Sequence, residues 1–174
     1  MKIGEKGLDI IKHFEQLFLE AYKCPAGVWT IGWGSIKNVH EGMVITEEAA
    51  IARLKEDVKD AENGVNRYVK VDLNQDQFDA IVSWTFNLGS GNLSSSTMLK
   101  RINAKEWHDV PHQIKRWNKA AGKVLKGLVR RRNAEALLWQ GKDWTFFDDY
   151  DNAPFYKEPM NNPLDDDIEI DPPF

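Results

Sequence analysis

Glu15, Cys24 and Thr30 fall close together, with eight residues between the first pair and five between the second. A carboxyl group can donate a proton, a thiol can serve as nucleophile or base, and a hydroxyl can position water. Gathered around one small volume, the three would make a hydrolytic site. The four histidines, His13, His40, His108 and His112, show no metal-ligand spacing with Cys24. No glycine-rich phosphate loop follows a strand, so neither a metal nor any other cofactor is expected.

The elements around these residues must bring them together. Apolar residues predict a helix over 8–22, with Ile10, Ile11, Phe14, Leu17, Phe18, Ala21 and Tyr22 on one side. Glu15 projects into that apolar sector, between Leu8, Ile11 and Tyr22. A carboxylate there must be paired, protonated or beside a cleft. An apolar setting favours a carboxyl that keeps its proton and can donate it near neutrality; the alternative is a buried pair with Arg130, Arg131 or Arg132. Pro25 and Gly27 break the helix, and 28–34 reads as a strand. Gly32 and Gly34 leave one face of that strand without side chains.

Further along, an N-cap at Thr46 opens a helix through about 69, weakened at Gly64. Asn74 caps another running to Gly89. A polar turn over 89–96, a helix at 97–103, and helices over 107–117 and 125–139 complete the pattern. The fold class is mainly α (α+β). A small lobe with a short antiparallel sheet from about 28 to 45 should face a helical lobe across a cleft.

With 174 residues, 42% of them hydrophobic and 29% charged, the chain can build a core, which excludes wholesale disorder. Its one cysteine excludes an internal disulfide framework. No apolar run approaches the roughly 20 residues of a membrane span, and 1–6 lacks the pattern of a secretion signal. Synthesis in a cytosol is therefore expected. The net charge of −4 is segregated: residues 100–132 hold eleven Lys and Arg against two acids, and 142–174 hold two against ten. The basic stretch suits an anionic partner or a solvated face. Ile114, Trp117, Ala121, Val124, Leu125 and Leu128 fall at helical spacing among basic residues, an amphipathic pattern within 113–132 that either joins the core or lies on anionic lipid. No nucleic-acid reader motif accompanies it.

The segment Phe14-Glu15, Ala21-Tyr22, Cys24 and Gly27-Val28-Trp29-Thr30-Ile31-Gly32-Trp33-Gly34 resembles the active-site segment of phage-type lysozymes, the muralytic endolysins of tailed phages. The resemblance continues through 77–83, Phe86-Asn87-Leu88-Gly89, Ser96-Thr97, Trp117 and Gly127-Leu128-Val129-Arg130-Arg131-Arg132 to Glu135 and Leu138-Trp139. It implies a lysozyme-like catalytic domain over 1–141; outside it, the change to Asp, Pro and Asn after Gly141 reads as an acidic extension over 142–174, anchored by Trp144, Phe146, Phe147 and Tyr150. It also implies hydrolysis of the β-1,4 bond between N-acetylmuramic acid and N-acetylglucosamine in peptidoglycan. Glu15 takes the general-acid position, Thr30 the position near the attacking water, and Cys24 a position where relatives commonly carry Asp. Phe86, Asn87 and Ser96 align with residues that line the cleft; helix packing and capping are their other readings. A monomer is expected, released from the host cytoplasm to the periplasm by a holin-type protein. Two rival readings remain: a cysteine-dependent peptidoglycan amidase, and a basic membrane- or lipopolysaccharide-perturbing module.

Overall fold

The computed structural model describes residues 1–156 of the chain. Helix α1 spans Glu5–Glu15 and stops at Gln16, whose φ of 59° cannot continue a right-handed helix. The predicted helix over 8–22 is therefore seven residues too long. Phe18, Ala21 and Tyr22, assigned above to its apolar side, belong to strand β1 (Phe18–Lys23), where Phe18 and Leu19 are exposed. Pairing with β2 (Trp29–Gly32) overrides the helical periodicity: Tyr22 faces Thr30 and Lys23 faces Trp29 in antiparallel register. A single bridge from Glu20 to Val44 extends the sheet, so it begins ten residues earlier than expected. Gly32 and Gly34, with φ of 64° and 90°, make the turn that ends β2 rather than a bare strand face.

The helix expected over 46–69 is divided at Val58 into α2 (Glu47–Asp57) and α3 (Lys59–Tyr68). Gly64 is not the weak point. A Cβ there would overlap Ser90 Oγ, so glycine permits the close approach of α3 to Ser90. Helix α4 (Gln75–Leu88) is capped by Asn74, and Gln77 completes a reciprocal capping box. The polar stretch after Gly89 folds as a short helix, α5 (Ser90–Ser95), followed by α6 (Thr97–Asn103). Instead of one helix over 107–117 there is a 3-10 turn at Trp107–Asp109 and then α7 (Val110–Lys115). A hairpin of β3 (Lys119–Ala120) and β4 (Lys123–Val124) leads into α8 (Lys126–Trp139). The amphipathic pattern within 113–132 is thereby broken up. Ile114 is core, but Ala121, Val124 and Leu125 are exposed on or beside the hairpin.

Two cores hold the elements. Leu8, Ile11, Trp33, Ala50, Leu54 and Val58 form the smaller one. Ile10 joins Phe78, Trp84, Ile102, Ile114 and Leu138 in the larger; burying a side chain of the size of Phe78 contributes about 2–3 kcal/mol. Helix α1 thus lies on the seam, and Phe86 and Ile3 pack against both sides. Its N-terminus is pinned by α4: the Gly4 and Gly7 amides donate to the Asp79 carboxylate at 2.8 and 3.1 Å. A partner helix thereby satisfies the orphan donors of a helix without a cap of its own. Burial pushes the Asp79 carboxyl above the usual range, and the Gly4, Gln75 and Gly7 donors pull it back only in part.

Beyond α8 the chain returns to α1. Phe147 is buried, with its ring 5.1 Å from His13 and 5.4 Å from Phe14. Trp144 adds a third aromatic contact to His13. Residues 142–156 therefore pack on the body, while 157–174 of the predicted extension lie outside the described residues.

Candidate active site

Glu15 is the last residue of α1, which places its carboxylate at the helix end rather than in the middle of an apolar face. Its side chain is 26% exposed, and Oε1 accepts from Arg131 Nη1 at 2.5 Å. The surrounding apolar sector drawn from the long helix is thus replaced by an ion pair, the other arrangement considered for this residue. Gly34 lies against the opposite oxygen: a Cβ there would be 3.8 Å from Glu15 Oε2. The backbone of the β2 turn therefore approaches the carboxylate with no side chain between them.

Cys24 and Thr30 are brought together on the β1–β2 hairpin. Cys24 opens its turn, donating its amide to the Val28 carbonyl and accepting from the Gly27 amide through its own carbonyl. Gly27, with φ of 78°, supplies the left-handed residue this turn needs. The half-buried thiol is drawn below its ordinary range mainly by a backbone hydrogen bond from Val28. Partial burial opposes this, while the Ala26 and Gly27 amides and the Thr30 hydroxyl add to it. Such donors favour the thiolate, which is the nucleophilic and basic form. Thr30 itself is buried, and its one proton, given to the Val28 carbonyl at 3.1 Å, turns to the sulfur only when the thiol ionises. Its oxygen keeps acceptor lone pairs with which a water can be held, the role the sequence suggests.

Arg131 belongs to a buried charge network on α8 and α4. Glu135, one turn further along α8, is fully buried and receives Ser83 Oγ at 2.7 Å, Arg132 Nη2 at 3.0 Å and Arg131 Nε at 3.3 Å, all on Oε1. Its other oxygen pairs with Arg132 Nε at 2.8 Å. Burial pulls the Arg132 guanidinium down, and Glu135 offsets part of this. Arg130 faces outward and forms a bidentate pair with Asp148. Sequence reasoning named the arginines but gave Glu135 and Ser83 no role. The available signal was the placing of Arg131, Arg132 and Glu135 at i, i+1 and i+4 among Ala134, Leu137 and Leu138, which puts charge on the buried side of a helix.

The three cleft-lining candidates separate. Asn87 accepts from Arg132 Nη2 at 3.0 Å and is half-buried beside the network. Phe86, next to it, is half-buried between the two cores. Ser96 is buried, accepts the Leu99 amide and donates to the Leu93 carbonyl. It is the N-cap of α6, and its hydroxyl is fully engaged. This is the capping role, its other reading in the sequence.

Among the described residues no group of three or more His, Cys, Asp or Glu is placed to hold a metal ion. No helix there is long and apolar enough to cross a membrane.

The sequence pattern of the phage lysozyme family matches residues 12–135. The chain is 43% identical over 144 residues to the endolysin of Acyrthosiphon pisum secondary endosymbiont phage 1, covering 80% of this chain and 99% of that one. It also matches endolysins of Bacillus phages, of which it spans about half the length (54% and 55%). Among solved structures, the endolysin from Escherichia coli O157:H7 phage FAHEc1 is 41% identical with a TM-score of 0.74, over 80% of this chain and 93% of that one. The muramidase domain of SpmX from Asticaccaulis excentricus is 36% identical with a TM-score of 0.75, over 79% and 97%.

Proposed function

The chain belongs to the phage lysozyme family, and from that we propose that its peptidoglycan hydrolysis is carried out by Glu15 and Cys24 on the two sides of one glycosidic bond. The protein is a glycoside hydrolase, an endolysin that cuts the β-1,4 bond between N-acetylmuramic acid and N-acetylglucosamine. Glu15 protonates the leaving oxygen. Arg131, already within 2.5 Å, balances the carboxylate that forms. Cys24 takes the place of the second carboxylate that glycosidases use, with Thr30 and the turn amides holding the thiolate. Phe86 and Asn87 line the sugar site. The observation that carries this reading is Glu15 itself: a partly exposed carboxylate at a helix end, backed by a buried guanidinium and faced by bare glycine backbone.

Digestion of purified peptidoglycan tests it. New reducing ends without new amines are expected. Release of amines instead would make Cys24 the nucleophile of an amidase.

Residues 1–141 carry the catalytic unit, and 142–174 are an extension whose first part is packed on it. The enzyme acts as a monomer. It accumulates in the host cytoplasm and reaches the wall from the periplasmic side once a holin-type protein opens the membrane. Contact with anionic outer-membrane lipid through 113–132 is favoured by one observation: Val124 and Leu125 are 58% and 44% exposed beside Lys119, Lys123 and Lys126. Dye release from anionic vesicles by the Glu15→Gln variant would support that contact. Intact vesicles at low salt would exclude it.

A further inference from the structure

Glu135 is fully buried, out of reach of a sugar, yet three donors converge on one of its oxygens. A buried ion cluster is a poor way to stabilise a lobe, since apolar residues of similar size often serve as well. Its value becomes clear from Arg131. An acid catalyst alternates between protonated and ionised forms. While Glu15 holds its proton it offers Arg131 no charge, and a guanidinium held by Glu15 alone would lose its partner in half of every cycle. Arg131 is instead held from behind, through Nε to Glu135 at 3.3 Å and through Nη2 to the Ser83 carbonyl at 3.4 Å. Nη1 is thereby left aimed at Glu15. Arg132, the next residue, brings a second buried positive charge, and among the described residues Glu135 is the carboxylate that pairs with both arginines.

We infer that Glu135 is a positioning residue for the glycosidic cleavage: it holds Arg131 against Glu15 and offsets the charge of Arg132. This rests on the reading of Glu15 as the acid. The charged groups paired with Glu15 or with its partners are Arg131, Arg132 and Glu135 of α8, joined by the neutral Ser83 and Asn87 of α4; the elements around Glu15 also carry Glu5, Lys6, Asp9, Lys12 and His13 on α1, Glu20, Tyr22, Lys23 and Cys24 on the hairpin, Asp76 and Asp79 on α4, and Lys126 and Arg130 on α8.

The test is the pH dependence of kcat on purified peptidoglycan for the full-length chain. Glu135→Gln leaves the cluster one unit more positive, which favours the ionised form of the acid. The alkaline limb of the profile should move down by about half to one pH unit, a roughly three- to tenfold change in proton affinity. Arg132→Gln leaves it one unit more negative and should move the limb up by a similar amount. KM should stay within about twofold in both while kcat falls. A role confined to packing would lower activity but could not move the limb in opposite directions. Unmoved limbs in folded variants, or movement in the same direction, would overturn the inference. If only one variant folds, its direction decides. Failure of both to fold would make the pair a folding element and would equally overturn it. Full activity in Glu15→Gln would bring down the acid assignment, and this inference with it.

Discussion

Cys24 and Thr30 sit on a hairpin with Phe18, Leu19 and Val28 exposed around them, whereas Arg131, Arg132 and Glu135 are buried among the helices of the larger core. On the hairpin the thiol proposed to react is prepared by backbone: the Val28, Ala26 and Gly27 amides around one sulfur, arranged by a turn with Gly27 in the left-handed region. On α8 the preparation is by paired charge, with Arg131 and Arg132 set against Glu15 and Glu135, while Arg132 Nη1 is left buried without a hydrogen bond. The hairpin side can therefore change its reactive side chain at little cost to the fold. The helical side cannot lose a partner without exposing another buried charge. Glu15 belongs to both, since its carboxylate touches Arg131 with one oxygen and faces the β2 turn with the other.

The strongest way to break this contrast is at its shared residue. Glu15→Gln should lower lysis by roughly a thousandfold or more while keeping the fold, as expected for removal of a general acid; turbidity clearing of permeabilised cells measures it. On the hairpin side, Cys24→Ala should cost about a hundredfold in activity but change stability by less than about 0.5 kcal/mol in urea unfolding. Cys24→Asp should retain much of the parental rate. On the helical side Arg131→Met should do the reverse in stability, losing about 3 kcal/mol because Glu135 keeps its burial and loses a cation. Equal destabilisation by both variants would erase the contrast.

Smaller effects sharpen it. The pH midpoint of Cys24 alkylation by iodoacetamide should lie below that of a free cysteine, about 8.5, because the turn amides favour the thiolate. Thr30→Val should raise that midpoint by removing one donor; an unchanged midpoint would take Thr30 out of the thiol's environment. Ser96→Ala should lower stability by about 1 kcal/mol, as loss of an N-cap does, and leave KM as it was. A raised KM would return Ser96 to the sugar site.

The same contrast governs what the residues alone could reveal. Asn74 as a cap and 97–103 as a helix were legible because a cap and an apolar period are local signals, and both elements stand where expected. The boundary between α1 and β1 was not. Phe18, Ala21 and Tyr22 continue the helical period, and only pairing with 29–32, together with the turn at Gln16, makes them a strand. The hairpin at 119–124 was hidden in the same way by a run of lysines and aliphatics that fits an amphipathic helix. Glu15, Cys24 and Thr30 stood out by type and spacing. Glu135 did not, because what distinguishes it is the convergence of Ser83, 52 residues away in the chain, with two arginines of its own helix.

Glu15 and Arg131 are 116 residues apart in the chain. At the usual pace of translation, about 5–20 residues per second, the carboxylate leaves the ribosome at least several seconds before the guanidinium that meets it. Phe147, which packs on the neighbouring Phe14, emerges later still. Nascent chains therefore carry the carboxylate without its counterion, and the ion pair comes into being only after the helix that bears Arg131 has been made.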